Sequence, residues 1–164
     1  MNDIFTKKPN LRAVPCSGSV LVLIEDGYSE LSELQQECQA IIDNAPDGLS
    51  ETERMQTLGD TADALSEADL PPDVPDFLMD LKCRYTEDQR ISKSTSRATR
   101  CAEAVTLLSA ACDAIQKWID VNDLDEYNDS GEYAEQRDEA EGLLNQVQNF
   151  IGNAEGCEFP GMFG

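Results

Sequence analysis

The sequence predicts an all-α protein: a single-domain helical bundle of four to five helices, with a long central helix pair and a short irregular N-terminal arm. Apolar residues recur three and four positions apart over most of the chain, which is the helical period. The 55 residues between Pro75 and Gly131 contain neither glycine nor proline, as long helices require. With 164 residues, 40% of them hydrophobic, the chain is long enough to bury one core.

The chain divides into three predicted parts. Residues 1–19 form a basic irregular arm, because they combine Lys and Arg with several turn-forming residues and show no helical period. Residues 20–155 form an acidic helical domain, and residues 156–164 form an apolar tail punctuated by glycine. Residues 20–24, at the start of the domain, are a short β-branched run that fits a strand or an apolar plug.

Three helical segments are predicted in the first half of the domain. The first begins near Glu30 and ends at the turn-forming residues 44–48. The second begins at a capping box formed by Ser50 and Glu53. After a run of prolines, a third and short helical turn occupies residues 77–81.

Two long helices are predicted in the second half. The central helix extends from about residue 87 to residue 121, with a break favoured in residues 91–99 because Ser and Thr are weak helix formers. Its C-terminal part is apolar nearly all round, so it lies at the centre of the bundle. An acidic connector then leads to a last amphipathic helix that ends near Gly152.

The residue types present argue against catalysis. The chain has no histidine, which excludes His-dependent triads and removes the usual activating base for a cysteine nucleophile. Neither a glycine-rich phosphate loop nor a C-x-x-C pair occurs. We therefore expect no enzyme activity, no metal site and no cofactor.

The acidic connector imitates the start of an EF-hand loop. Glu126, Asn128, Ser130 and Gly131 have the right order, but position 12, which should chelate calcium through Glu, is Arg137. The stretch is therefore predicted to be a solvated loop.

Two observations address localisation. No apolar run approaches the roughly 20 residues of a membrane span. Residues 1–18 also lack the pattern of a signal peptide. We expect a cytoplasmic protein without membrane contact, whose six cysteines are reduced thiols.

Charge is distributed unevenly along the chain. The net charge is -21, from 33 Asp and Glu against 12 Lys and Arg. Residues 23–80 hold 16 acids and one base, and residues 101–164 hold 14 acids and two bases. Residues 82–100 between them hold six bases and two acids. Such an acidic chain is an improbable direct ligand of nucleic acid, because affinity for a polyphosphate comes from Lys and Arg.

A basic stripe lies at the start of the predicted central helix. At 100° per residue, its four side chains fall within an arc of about 80°. They fit a phosphate or acidic-partner site, or they pair with the protein's own acidic helices, and the surplus of acid favours the pairing. The stripe consists of Arg90, Lys93, Arg97 and Arg100.

Two acidic stripes are equally regular. The main stripe is predicted to bind a partner and comprises Asp120, Asp123, Asp125, Glu126, Asp129, Glu132, Glu135, Asp138 and Glu139. The second consists of Glu30, Glu33 and Glu37. Carboxylates three and four apart on a helix stand about 5–6 Å from one another, a spacing comparable to that of phosphates along a DNA strand. A plain solvated surface, or adaptation to high salt, would produce the same composition.

The C-terminal tail carries apolar side chains that fit either of two roles. Such tails dock in a partner's groove, or they fold back and cap the protein's own core. The residues concerned are Phe159, Pro160, Met162 and Phe163.

Together these features predict a non-enzymatic acidic helical protein that binds a basic surface of a nucleic-acid-handling protein. A DNA-mimic inhibitor, encoded by a virus against a host enzyme or defence system and acting in the host cytoplasm, fits this description. The alternative is a helical structural or assembly protein, such as a virion component or scaffold, that associates through apolar faces and its tail. A homodimer is one expected state: a monomer or small dimer favours the inhibitor, whereas a discrete, salt-resistant homo-oligomer that is lost on deleting residues 159–164 favours assembly.

Overall fold

Five α-helices make up most of the computed structural model, which describes residues 13–49, 52–88, 96–123 and 131–160. A 3-10 turn at Ser66–Asp69 and a two-stranded sheet complete one mainly helical domain, as the sequence predicts. The helices are α1 (Val20–Asp43), α2 (Glu53–Ala64), α3 (Asp76–Met79), α4 (Arg97–Asp123) and α5 (Gly131–Glu155).

The sheet corrects two predictions. Strand β1 (Ala13–Ser19) pairs antiparallel with β2 (Lys82–Asp88), so the predicted irregular arm is wrong for residues 13–19. The predicted start of the central helix near residue 87 is also wrong, because residues 82–88 form a strand and α4 begins at Arg97. Pairing between strands about 70 residues apart satisfies the backbone of both segments, and neither segment has a period that reveals it.

Helix α1 starts ten residues earlier than predicted. Residues 20–24 are neither a strand nor a plug but its first turns, because Ser19 accepts a hydrogen bond from the amide of Val22 and caps the helix. The amide of Val20 donates to the carbonyl of Leu81, which joins the start of α1 to the segment before β2. Val20 and Ile24 are fully buried, so their β-branched side chains serve the core.

Helix α4 is the centre of the bundle. It packs antiparallel against α1 and against α5, so the prediction of a long central helix pair is confirmed. Gly27 of α1 allows a close approach to α4, because a Cβ there would stand 2.6 Å from Cδ2 of Leu108. Tyr28, the next residue of α1, stacks on Phe150 of α5 with ring centroids 4.6 Å apart.

Helix α2 packs against the second half of α1 around a smaller apolar cluster that includes Cys38, Met55 and Leu58. Its cap is Thr52, whose hydroxyl accepts from the amide of Met55. The predicted capping box used Ser50, which lies outside the described residues.

Candidate partner-binding surface

An arginine cluster joins the start of α4 to α1. Arg100 donates from Nε to Oε1 of Glu30 at 2.6 Å and from Nη1 to Oε2 of Glu37 at 2.6 Å. Its Nη2 lies 3.5 Å from Oε2 of Glu33. Arg97 adds a weaker contact, with Nε 3.9 Å from Oε2 of Glu37. These five residues are called the arginine cluster below.

The arginine cluster neutralises one of the two predicted acidic stripes. The side chain of Arg100 is 21% exposed, and its hydrogen bond to Glu30 is the main reason why its pKa lies above the ordinary value. Arg97 and Arg100 thus pair with the protein's own acids, as the charge surplus favoured. Glu30 and Glu37 accept hydrogen bonds from Arg100 and so join α1 to α4. The other two members of the basic stripe, Arg90 and Lys93, lie outside the described residues.

A second acidic region has no such counter-charge. Between Arg54 and Lys82 the chain contains no Lys or Arg but seven Asp and Glu, and all seven are exposed. The apolar side chains of α2 face α1, which leaves the carboxylates of Asp60 and Asp63 on the solvent side of that helix. The seven residues are Asp60, Asp63, Glu67, Asp69, Asp73, Asp76 and Asp80.

The first of two grooves beside this region separates it from α1. It has a volume of about 460 Å³ and is rimmed by the carboxylates of Glu25, Glu33 and Asp69. The hydroxyl of Ser32 donates to Asp69, which fixes the 3-10 turn against α1. Three carboxylates from two elements therefore face the same open space.

The second groove separates the region from α5 and is called the α5 groove below. It has a volume of about 340 Å³ and lies between residues 73–75 and one face of α5. Asp73 and Glu139 line it from opposite sides, although they are 66 positions apart in the chain. The fold therefore brings the acidic segment 60–80 next to the acidic stripe on α5.

Part of the predicted main stripe lies on this surface. Glu135, Asp138 and Glu139 are exposed on α5 and stand at helical spacing. None of the three makes an ion pair with a described residue. These three carboxylates and Asp73, which lies across the α5 groove from Glu139, are called the acidic face below.

Three other members of the predicted main stripe lie near the ends of α4 and α5 that face the connector. Asp120 is exposed in the last turns of α4, where it accepts from Gln116. Asp123 ends α4, and Glu132 lies in the first turn of α5. The remaining members fall outside the described residues: Asp125, Glu126 and Asp129.

The tail contacts the protein's own core as far as the structure describes it. Phe159 packs against both apolar clusters, and Thr61, which is 2% exposed, donates to the carbonyl of Glu158 at 2.7 Å. Pro160 is half-buried, and Met162 and Phe163 lie outside the described residues. In residues 158–160 the tail therefore folds back on the protein's own core, and Phe159 contacts both the α2 cluster and the main core.

The cysteines are packing residues. Cys38, Cys83, Cys101 and Cys112 are buried free thiols. Burial raises the pKa of Cys83 and Cys101 to about 11 and that of Cys112 to about 12, so these thiols are protonated at neutral pH. Within the described ranges, no three Cys, Asp or Glu side chains are grouped so that they could hold a metal ion.

The sequence analysis counted segment 60–80 within the acidic block 23–80 but did not name it as a candidate binding surface. Its signal was available, because a stretch from Met55 to Leu81 with seven acids and no base is unusual in a chain that has twelve bases. Helical periodicity drew attention to the long helices instead, whereas this segment is divided among α2, a 3-10 turn, a proline-rich loop and α3.

No protein-family model matches the chain, and no curated protein or solved structure matches it either. Among the helices that the structure describes, none has both the length and the apolar character of a membrane span.

Proposed function

We propose that this protein is a non-enzymatic binding protein that uses its acidic face to hold the basic surface of a nucleic-acid-handling protein. The single observation that carries the proposal is the α5 groove, where Asp73 and Glu139 bring two uncompensated acidic regions together. Folding two such regions side by side costs stability through repulsion. A partner that supplies positive charge removes that cost.

The contrast with the arginine cluster supports this proposal. Where the chain brings Glu30, Glu33 and Glu37 together, it also supplies Arg100. On the acidic face it supplies no cation among the described ion pairs. The charge of that face is not offset within the described ion pairs, so it is available to the cations of a partner.

The spacing of the carboxylates points to a partner that grips DNA. Asp138 and Glu139 lie three and four residues after Glu135, about 5–6 Å from it, a spacing comparable to that of the phosphates that Lys and Arg of such a protein recognise. A DNA mimic of this kind acts as a competitive inhibitor, which is the strategy of a virus-encoded protein that blocks a host enzyme or defence system.

The test is affinity capture from a bacterial lysate cleared of nucleic acid, followed by elution with duplex DNA. We expect DNA-binding proteins to be retained, to be displaced by duplex DNA, and to be released between about 50 and 300 mM salt. The informative variant is Glu135→Gln/Asp138→Asn/Glu139→Gln, which should retain markedly less of the same proteins.

The control variant is Glu103→Gln/Glu155→Gln/Glu158→Gln, which removes the same number of exposed charges. Glu155 lies 20 residues from Glu135 on α5, about 30 Å away at 1.5 Å per residue. The control should retain the same proteins as the unmodified chain. Retention that is indifferent to salt and DNA, or equal loss in both variants, contradicts the proposal.

A further inference from the structure

The α5 groove combines an apolar floor with charged walls. Val74 and Leu143 lie at its base and are 7% and 5% exposed, so each presents a small apolar area to the groove. Asp73 stands on one wall and Glu139 on the other. An aliphatic stem that ends in a cation matches this arrangement, because the stem contacts the floor while the cation meets both carboxylates.

The two walls of the groove come from a helix and from a proline-rich loop, both of which restrict the backbone. One wall belongs to α5, where Glu139, Gly142, Leu143 and Gln146 share one face. The other wall is a proline-rich loop, and Pro75 has the extended backbone angles φ -59° and ψ 145°. Preformed walls reduce the entropy lost on binding.

Gly142 is the unexpected residue of this groove. It lies in the middle of α5, where glycine costs about 1 kcal/mol relative to alanine. The fold does not require it, since a Cβ built there meets no atom within 4 Å. The absence of a side chain at this position leaves the groove open.

We propose that the α5 groove receives an arginine side chain of the basic partner. Arginine is favoured over lysine because its planar guanidinium has five donors and can bridge carboxylates on two walls, whereas an ammonium is a point charge. The negative charge of the acidic face around the groove complements this occupant. This inference rests on the proposed function and assigns one contact within it.

The test uses labelled oligo-arginine and oligo-lysine peptides of equal length as probes, with fluorescence anisotropy at low salt. The unmodified protein should bind oligo-arginine at least about fivefold more tightly than oligo-lysine. Gly142→Leu fills the groove and should weaken oligo-arginine binding about tenfold. It should also lower the preference for arginine. Asp73→Asn should act in the same direction.

Gly152→Leu is the matched control. Gly152 also lies on α5 with no atom within 4 Å of a built Cβ, but it does not line the groove. This control should bind both peptides as the unmodified protein does. Because leucine is a better helix former than glycine, neither variant should lower the melting temperature. A loss of binding in Gly142→Leu is then not a loss of folding.

Two binding results and one light-scattering result would overturn the inference. One is an equal affinity for the two peptides in the unmodified protein, and the other is unchanged oligo-arginine binding in Gly142→Leu. If light scattering shows a dimer that Gly142→Leu converts to a monomer, the occupant is a second copy and the inference is also wrong.

The same measurements distinguish failure of the groove assignment from failure of the proposed function. If Gly142→Leu binds normally while Glu135→Gln/Asp138→Asn/Glu139→Gln loses salt-sensitive binding, only the groove assignment fails. If the latter variant also binds both peptides normally, the proposed function fails with it.

Discussion

The acids of the arginine cluster on α1 and the acids of the acidic face on α5 stand at similar helical spacing, yet their surroundings differ. On α1, Glu30, Glu33 and Glu37 surround one guanidinium. On α5, Glu135, Asp138 and Glu139 are exposed, and Glu139 lies across a groove from Asp73. A stripe of acids is therefore not by itself a binding surface, and its role depends on what the fold places opposite it.

Charge also has opposite effects on stability in the two regions. In the arginine cluster, partial burial strengthens attraction, so the charges hold α1 to α4. On the acidic face, exposed like charges repel one another, and salt screens them. The first region should therefore respond to mutation through stability, and the second through binding and salt dependence.

The largest expected effect comes from Arg100→Ala. This change removes a three-way ion pair and leaves three carboxylates together, so the free energy of unfolding should fall by about 2 kcal/mol, between the values for exposed and buried pairs. Denaturant titration measures it. Lys117→Ala is the control, because it removes an exposed cation from the same helix and should have little effect. Equal losses would mean that net charge, not the arginine cluster, is responsible.

The next effect concerns the helix contact beside the arginine cluster. Gly27→Ala would place a Cβ 2.6 Å from Cδ2 of the fully buried Leu108 and 3.3 Å from the carbonyl oxygen of Ala104. Overpacking costs about 1–3 kcal/mol, and better helix propensity returns part of it, so the net loss of stability should be about 1–2 kcal/mol. Thermal unfolding measures it, and an unchanged melting temperature would contradict the close contact.

The corresponding glycine on the acidic face should behave in the opposite way. Gly142→Ala adds a Cβ into open space within a helix, so the protein should gain about 0.5–1 kcal/mol. For a chain of this size the melting temperature should rise by about 2–4 °C. A decrease would show that glycine is needed at this position for the fold.

The smallest effect is the salt dependence of stability. Added salt should raise the melting temperature of the unmodified protein, because it screens repulsion on the acidic face. In Glu135→Gln/Asp138→Asn/Glu139→Gln the melting temperature at low salt should rise by about 1–2 °C, and the salt dependence should become shallower. If both proteins respond equally to salt, the repulsion lies elsewhere in the molecule.

Local patterns explain which parts of the fold were predictable. The later helices have regular apolar faces, such as Leu143, Leu144 and Val147 on α5, and these residues are buried as expected. The first turns of α1 and the strand β2 were mispredicted. The pairing of β2 with β1 is distant in sequence, and so is the bond from the amide of Val20 to Leu81, whereas the Ser19 cap of α1 is a local signal that the prediction overlooked.

The sequence by itself determined the helical class, the strong acidity and the absence of histidine chemistry, because these follow from composition and from periods within one element. Only the tertiary structure decided which acids form ion pairs with a cation of the same chain. Arg100 reaches Glu30 across 70 positions, and Asp73 meets Glu139 across 66, so no local pattern distinguishes the two. Coulomb energy depends on distance in space and on burial, and both are properties of the packed helices.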